Sequence, residues 1–197
     1  MNQPFTVHEG LAVALLREHI DTDAIIPSRE MKGVGKTGLA DGLFANWRYL
    51  DPSTRTPNPD FVLCRHPSAT VLVAGANFGC GSSREHAAWA LKEWGIRVVM
   101  APSFGAIFFD NCVRNGLVPV VWNGELPLTP QMLRVDLERL RVTLANGCVH
   151  PFELDPEARE LLLTGLDPID RTRQLLPEIE AFESRDRMAH PWIYLAD

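Results

Sequence analysis

The sequence lacks any cluster of basic residues, and its formal net charge at pH 7 is −6 over 197 residues. Proteins that bind nucleic acids usually carry a basic patch, so we expect no nucleic acid partner. The apolar runs are much shorter than the roughly 20 residues that cross a bilayer. Residues 1–9 also lack the basic-then-apolar pattern of a signal peptide. We therefore expect a soluble, cytoplasmic protein without a membrane partner.

Cysteine is scarce, and the four cysteines are Cys64, Cys80, Cys112 and Cys148. None of them belongs to a C-x-x-C pair, so the ligand spacings of zinc and iron–sulfur sites are absent. We therefore expect this chain to bind no metal. Disulfides are uncommon in cytosolic proteins, and we expect these cysteines to carry unpaired thiols.

What the sequence does contain is enough apolar residues for one good core. Hydrophobic residues make up 46% of the chain, which favours a single domain at this length. Apolar runs at Val71–Ala74 and Ile96–Ala101 flank a helical pattern that ends near Trp94. A strand, a helix and a second strand in this order predict a βαβ unit with parallel strands.

The neighbouring segments predict further strands and one more helix. Leu11–Leu16, Phe61–Leu63 and Leu117–Val121 are apolar runs of strand length. Residues 103–115 predict a helix, and we expect its two asparagines, Asn111 and Asn115, to lie at the surface.

The last third of the chain predicts a hairpin followed by helices. Residues 140–154 contain two strand patterns joined by Asn146 and Gly147, a pair typical of a type I′ turn. Pro151 favours an edge position for the second strand. Asp155-Pro156 and Asp167-Pro168 each predict the start of a helix, with the aspartate as N-cap. These patterns indicate a mixed α/β fold.

A glycine-rich segment, Gly75–His86, joins the first strand of the βαβ unit to its helix and reads G-A-N-F-G-C-G-S-S-R-E-H. Ser82 and Glu85 have the spacing of a capping box, which predicts that Ser82 caps the helix. Glycines let backbone N–H groups approach a ligand, and Arg84 adds donors that can bind a carboxylate or phosphate at two points. The segment therefore predicts an anion site, although a plain helix cap with a surface arginine accounts for the same residues.

Nucleotide-binding loops do not fit this segment. A P-loop needs a lysine before the hydroxyl residue, whereas Gly81 precedes Ser82 directly. The dinucleotide pattern G-x-G-x-x-G needs a glycine where Arg84 stands.

A second polar segment, Asp21-Thr22-Asp23, follows the predicted strand 11–16. Side chains just past a strand are well placed to face a site. The alternative is local turn chemistry, in which an aspartate accepts hydrogen bonds from nearby backbone amides.

The run Asn77–His86, N-F-G-C-G-S-S-R-E-H, resembles the signature of the swivelling domain of the aconitase superfamily, and in particular of small subunits of bacterial 3-isopropylmalate dehydratase. Other segments match that family in the same order: Asp21–Pro27, Asn46–Tyr49, Pro57–Leu63 and Ala101–Phe104. The resemblance implies an α/β fold of the swivelling β/β/α type, a mixed sheet with a βαβ core and terminal hairpins. We expect one such domain over residues 1–197, with a C-terminal helical extension over about 155–197.

The resemblance also implies the chemistry. Enzymes of this family move a hydroxyl between neighbouring carbons of isopropylmalate by removing water, through isopropylmaleate, and adding it back, a step of leucine biosynthesis. Ser82 matches the catalytic base of the family, while Ser83 and Arg84 match residues that bind the substrate carboxylate. Asp23 matches an active-site aspartate that supports substrate binding, and Asp21 is expected to be structural.

A larger partner subunit is implied as well. In the family it carries the 4Fe–4S cluster and forms a heterodimer with the small subunit, so we expect no cofactor on this chain and no activity without the partner. The glycine-rich segment Met31–Leu39 matches the loop that recognises the part of the substrate distinguishing isopropylmalate from citrate.

Three alternatives remain from the sequence. The chain could serve a related hydro-lyase acting on homoaconitate, citraconate or dimethylmaleate, because Gly75-Ala76 and residues 170–178 depart from the usual family pattern. It could be a non-catalytic anion-binding module. Finally, Cys80 could be a thiol nucleophile, since it lies between glycines near a helix start.

Overall fold

The computed structural model describes residues 2–31, 35–124 and 128–194. The strands are β1 (Val7–Leu15), β2 (Tyr49–Asp51), β3 (Thr56–Pro57), β4 (Val71–Ala74), β5 (Val98–Ala101), β6 (Val118–Val121), β7 (Gln131–Asp136), β8 (Arg141–Thr143) and β9 (Val149–Pro151). The helices are α1 (Thr22–Ile25), α2 (Ala45–Arg48), α3 (Val62–Arg65), α4 (His86–Trp94), α5 (Ala106–Arg114), α6 (Pro156–Thr164), α7 (Pro168–Gln174) and α8 (Leu176–Ala189). Short 3-10 turns cover Ser28–Glu30, Ala40–Gly42 and Pro191–Ile193.

A seven-stranded mixed sheet in the order β6-β5-β4-β1-β7-β8-β9 forms the centre of the fold. Strands β1, β4, β5 and β6 run parallel to one another. Strand β7 pairs antiparallel with β1, and β8 and β9 continue antiparallel. The predicted βαβ unit is therefore confirmed, with α4 connecting β4 to β5.

Both faces of the sheet are covered, because side chains alternate along each strand. On one face Leu72 and Val99 pack with buried residues of α4 and α5 such as Leu91. On the other face Val73 and Met100 pack with the antiparallel strands and α6. This explains why the central strands are apolar without interruption.

The predicted hairpin is formed by β8 and β9, and β9 with Pro151 lies at an edge of the sheet as expected. Its turn is not of type I′, which needs positive φ at both central residues. Only Gly147 (φ 84°) has positive φ there, while the Asn146 side chain accepts a hydrogen bond from the N–H of Cys148.

At the N-terminal side, β1 pairs with the distant β7 rather than with a neighbour in sequence.

Two local predictions are wrong. The segment Phe61–Leu63 does not form a strand, because Val62 and Leu63 begin the short helix α3 and bury their side chains. Helix α5 begins at Ala106 rather than at residue 103, since Ser103 and Phe104 pair with Phe78 in the glycine-rich segment.

The aspartate caps of the C-terminal helices are confirmed. Asp155 accepts hydrogen bonds from two N–H groups of α6, and Asp167 accepts one from the N–H of Asp170 in α7.

Helix α6 belongs to the core through Leu162, whereas no described side chain from residue 169 to 194 is buried. Within the described parts of the chain, no helix is both long and apolar enough to cross a membrane.

Candidate functional site

The glycine-rich segment crosses the carboxyl ends of the parallel strands in an unusually close path. Gly79 has φ of 74°, and a Cβ atom there would collide with the ring of Phe108 on α5. At Gly105 an added Cβ would lie 2.6 Å from the carbonyl oxygen of Gly79. Glycine at these positions therefore lets the segment lie directly against the start of α5.

The Asp21–Asp23 segment packs against the same glycine-rich segment. Asp21 is the N-cap of α1, and its Oδ1 accepts a hydrogen bond from the N–H of Ala24 at 2.6 Å. The N–H of Thr22 donates to the carbonyl of Cys80 at 2.9 Å. This places Asp23, in the first turn of α1, next to the residues that follow Gly81.

Asp23, Ser82 and Arg84 form one cluster around the guanidinium. Arg84 Nε donates to Ser82 Oγ at 2.9 Å, and Arg84 Nη2 lies 3.0 Å from Asp23 Oδ1. The Asp23 side chain is 62% exposed and that of Arg84 is 39% exposed. The cluster is thus open to solvent, and the Ser82 hydroxyl oxygen is held by a charged donor.

The predicted capping box is wrong. Helix α4 begins at His86, its N-cap is Glu85, and no side chain caps it. The N–H of Ser82 instead donates to the Thr22 hydroxyl at 3.1 Å. That amide is therefore already paired, and Arg84 is the side-chain donor of this segment that an anion can reach.

Ser83 lies beside this cluster with an exposed side chain. Its carbonyl accepts a hydrogen bond from Asn111 Nδ2 of α5 at 3.3 Å. Asn111 and Asn115 are each only 4% exposed, so the expectation that they lie at the surface is wrong. They share the helix face of Phe108 and Cys112, which is the spacing of a buried face.

The predicted substrate-recognition loop, Met31–Leu39, is only partly described, because Lys32–Val34 lie outside the described residues. At its start, Met31 Sδ lies 4.0 Å from Arg84 Nη1. At its end, the N–H groups of Gly38, Leu39 and Ala40 donate to the Glu93 carboxylate at 2.6, 2.5 and 2.8 Å. The start of the loop therefore contacts Arg84 of the cluster, and its end contacts Glu93 of helix α4.

The environment of Glu93 shifts its acidity. Partial burial acts to raise the pKa of this carboxyl, but the three backbone N–H donors outweigh it and hold the pKa below its ordinary value of 4.5. Glu93 is thus held as a carboxylate at neutral pH.

The middle of the loop also contacts α4. Lys36 Nζ, within the loop, lies 5.1 Å from the centre of the Trp89 ring on this helix.

Two residues of this region, Thr22 and Asn111, were not identified from the sequence as site residues. Thr22 stands between two aspartates, whose carboxylates are the more obvious candidates for a site. The signal for Asn111 was its place on the apolar face of α5, where a polar side chain needs a partner.

The thiol alternative finds little support in the geometry. The Cys80 side chain is partly buried, and in the described parts of the chain no hydrogen bond joins its sulfur to a base. The carbonyl of Cys80 serves to hold Thr22. Cys112 is fully buried in the core, and burial raises the pKa of its thiol well above the ordinary value.

Comparison with known proteins places these observations in a family. The model of the aconitase C-terminal domain matches residues 2–125. A 3-isopropylmalate dehydratase small subunit from Cupriavidus necator is 54% identical over 98% of both chains. A protein of the same name from Polaromonas naphthalenivorans is 43% identical over 97% of both chains.

A solved structure agrees with the same family. The crystal structure of 3-isopropylmalate dehydratase from Methanocaldococcus jannaschii superposes with a TM-score of 0.67 at 29% identity. The match covers 88% of this chain and 99% of the archaeal chain. The similarity therefore includes nearly the whole of that structure.

Proposed function

The chain belongs to the family of 3-isopropylmalate dehydratase small subunits within the aconitase superfamily, and from this premise we propose that it interconverts 2-isopropylmalate and 3-isopropylmalate as part of a two-subunit hydro-lyase. The observation that carries the proposal is the Arg84 guanidinium, which contacts both Ser82 and Asp23 in a chain 54% identical to a named small subunit. Leucine biosynthesis is the pathway to which this reaction belongs.

Ser82 is the proposed base. In the dehydration its Oγ, as the alkoxide, takes the proton from the carbon next to a substrate carboxylate, and the neighbouring carbon releases its hydroxyl as hydroxide, which leaves an alkene diacid. The hydroxide and the proton now on Ser82 together make up the water that is lost, and the alkoxide is regenerated. Adding water back in the other orientation gives the isomer. A serine hydroxyl is a weak acid, so it can act as a base only where negative charge on its oxygen is stabilised. The hydrogen bond from Arg84 Nε at 2.9 Å supplies such stabilisation.

Arg84 and Ser83 are the proposed carboxylate-binding residues. The pair of Arg84 with Asp23 is exposed to solvent, and exposed pairs of this kind contribute about 0–1 kcal/mol. A substrate carboxylate can therefore replace or join Asp23 at the guanidinium at little cost. The proposed role of Asp23 is to orient Arg84 until the diacid arrives, and the exposed Ser83 hydroxyl is the proposed second contact.

The partner is the proposed source of the 4Fe–4S cluster. Among the described residues of this chain, no three histidine, cysteine, aspartate or glutamate side chains lie together as a ligand set. Four cysteines on separate elements, of which Cys112 is fully buried, do not fit a cluster either. The steps assigned above therefore concern only the proton and the carboxylates, which this chain can handle with its own residues.

The test is co-expression with the large subunit encoded in the same genome, followed by an assay of the purified complex. We expect turnover of isopropylmalate, none for the isolated chain, and slower turnover of homoaconitate, citraconate and dimethylmaleate. Ser82→Ala should abolish turnover while the complex still forms. Ser184→Ala on α8 is a matched control that should retain full activity, because within the described ranges its hydroxyl donates only to the Glu180 carbonyl of the same helix. Turnover by the isolated chain, or by the Ser82→Ala complex, would contradict the proposal.

A further inference from the structure

The backbone around Ser82 is held by two side chains that come from other elements. Thr22 Oγ1 accepts a hydrogen bond from the Ser82 N–H at 3.1 Å. Asn111 Nδ2 donates to the Ser83 carbonyl at 3.3 Å. Since α4 begins only at His86, the segment Ser82–Arg84 has no helical hydrogen bonds of its own to fix its path.

Thr22 is well placed to act as a rigid support. The residue is 4% exposed, and its own N–H donates to the Cys80 carbonyl at 2.9 Å. One residue of α1 therefore holds the backbone on both sides of Gly81, which has φ of 100°. A side chain fixed in this way can locate a neighbouring group more accurately than a solvent-exposed loop can.

Asn111 is supported by a buried network of its own. The backbone carbonyl of Asn111 accepts a hydrogen bond from Asn115 Nδ2 at 2.8 Å, and Asn115 Oδ1 accepts one from Trp89 Nε1 at 2.9 Å. The network therefore connects α5 to α4 and fixes the part of α5 from which Asn111 projects. Buried amides are costly unless paired, and the Asn111 Nδ2 finds its partner in the Ser83 carbonyl.

We propose that Thr22 and Asn111 are positioning residues for the reaction, and that they act by fixing the backbone from which Ser82 and Arg84 project. The inference rests on the proposed function for the chemistry, but the contacts themselves exist in the isolated chain. Thr22 holds the peptide group before Ser82 and Asn111 holds the one after Ser83, so a shift of either peptide changes the position of the Ser82 oxygen relative to the Arg84 nitrogen. A displacement of about 1 Å in a reacting group lowers the rate roughly a hundredfold.

The test compares two substitutions at one position. Thr22→Val keeps the shape of the side chain and removes the oxygen that accepts from Ser82, whereas Thr22→Ser keeps that oxygen. In the complex with the large subunit, we expect Thr22→Val to lower kcat about 10–100-fold with KM changed less than about threefold. Thr22→Ser should restore most of the activity, and Asn111→Leu should lower kcat in the same direction.

Thr70→Val is the matched control. It also removes a hydroxyl that is hydrogen-bonded to a side chain from another element. The bond joins Thr70 Oγ1 to His8 Nε2 at 2.8 Å and lies far along the sheet from Ser82. Its kcat should be unchanged. All rates are taken per assembled complex, so a variant that only folds or assembles less keeps a normal kcat, and that result for Thr22→Val would overturn the inference.

A second readout does not depend on turnover. Hydrogen exchange of the Ser82 amide in the isolated chain should be slow in the wild type and in Thr22→Ser, and faster in Thr22→Val. Equal exchange in all three would overturn the inference, even if the wild-type complex is active. Conversely, slow exchange that Thr22→Val abolishes supports the hold of Thr22 on the Ser82 backbone, and a lack of turnover by the wild-type complex would then contradict the proposed function alone.

Discussion

Arg84 is the residue on which the site depends most directly. Its Nε contacts Ser82, its Nη2 contacts Asp23, and its Nη1 reaches Met31 at the start of the loop. A planar group with several donors in fixed directions can make these contacts together, whereas an ammonium is a single point charge on a flexible stem. The arginine therefore couples the proposed base, the proposed carboxylate site and the loop.

Replacing this arginine by lysine keeps the positive charge and removes the planar set of donors that can bind a carboxylate at two points. For Arg84→Lys we expect KM for the diacid to rise about tenfold or more and kcat to fall, because charge-assisted hydrogen bonds contribute about 1.5–3 kcal/mol each. Steady-state kinetics of the two-subunit complex measure both. Arg171→Lys is a matched control, since Arg171 is also 39% exposed and contacts two carboxylates, of Glu157 and Glu160. An unchanged KM for Arg84→Lys would contradict the carboxylate role.

Gly79 offers a prediction about stability rather than catalysis. Gly79→Ala forces a Cβ into the Phe108 ring at a positive φ, and we expect a loss of about 3 kcal/mol or more. Gly147→Ala in the hairpin turn also has positive φ but meets no atom within 4 Å, so strain alone should cost about 1–2 kcal/mol. Chemical denaturation of the isolated chain measures both. Equal losses of stability would show that the contact of the added Cβ with Phe108 costs nothing beyond the strain of the positive φ.

At the scale of elements, α4 connects the cluster to the loop. It begins just after Arg84, and Glu93 near its end binds the three backbone amides of Gly38–Ala40. The Glu93 carboxylate stabilises the fold while it is ionised. Because its pKa is lower in the folded chain than its ordinary value of 4.5, that stabilisation is complete above the ordinary value and is lost as pH falls through the folded value.

This linkage predicts a pH-dependent difference between wild type and Glu93→Gln. At about pH 7 the wild type should be more stable by about 1–3 kcal/mol, since a neutral amide accepts weaker bonds and presents an N–H₂ group to other donors. The difference should shrink as pH falls below 4.5 and through the lowered pKa of Glu93 in the folded chain, because the carboxylate is lost there. Melting temperatures across this range measure it.

The control for that series is Glu138→Gln. In the described parts of the chain the Glu138 carboxylate makes no hydrogen bond, and the residue is exposed in the turn before β8. Its substitution should leave the melting temperature unchanged at each pH. A difference for Glu93→Gln that stays constant from neutral to acidic pH would contradict the assigned linkage.

The elements show which parts of the fold the sequence could predict. Strands β4, β5 and β6 and the aspartate caps of α6 and α7 were predictable because local pattern and tertiary structure agree there. Phe61–Leu63 was not, because a three-residue apolar run has no distinguishable period. The true starts of α4 and α5 depend on contacts with Thr22 and Phe78, which are remote in sequence.

The same reason applies to the candidate site. The contact of Ser82 with Arg84 is local, and the glycine-rich segment itself indicates both residues, whereas their roles and their grouping with Asp23 come from the family resemblance. The supports of that contact come from α1 and α5, 60 positions before Ser82 and 28 positions after Ser83. No local pattern records such pairings. Polarity alone predicts a surface position for Asn111, but its spacing from Phe108 and Cys112 puts it on the buried face of α5.

At the scale of the molecule, the part of the fold that contains the buried core, here called the body, ends with α6. The N–H groups of Asn2 and Phe5 donate to the carbonyls of Gly165 and Leu162, so the N-terminal segment and α6 hold each other. Helices α7 and α8 lie outside this body. Their apolar side chains include Phe182, and the turn that follows them carries Trp192; these two residues are 58% and 76% exposed.

Truncation tests this division. Removing all residues after Leu166 should change the melting temperature by no more than about 2–4 °C, because this deletion removes mainly exposed interactions such as the ion pairs of Arg171. Removing all residues after Glu153 should destabilise the chain strongly, since it also removes buried Leu162. Calorimetry of both truncated chains distinguishes them. A large loss in the shorter deletion would show that α7 and α8 support the body.

The position of β1 has a consequence for synthesis. This strand leaves the ribosome first, yet the strand that pairs along its other side is made only at Gln131–Asp136. At roughly 5–20 residues per second, about ten seconds pass before that partner emerges. Meanwhile the backbone groups of residues 7–12 on that edge of β1 are unpaired, a known route to aggregation. Translation pauses before residue 131 should therefore reduce the yield of soluble protein more than pauses after it.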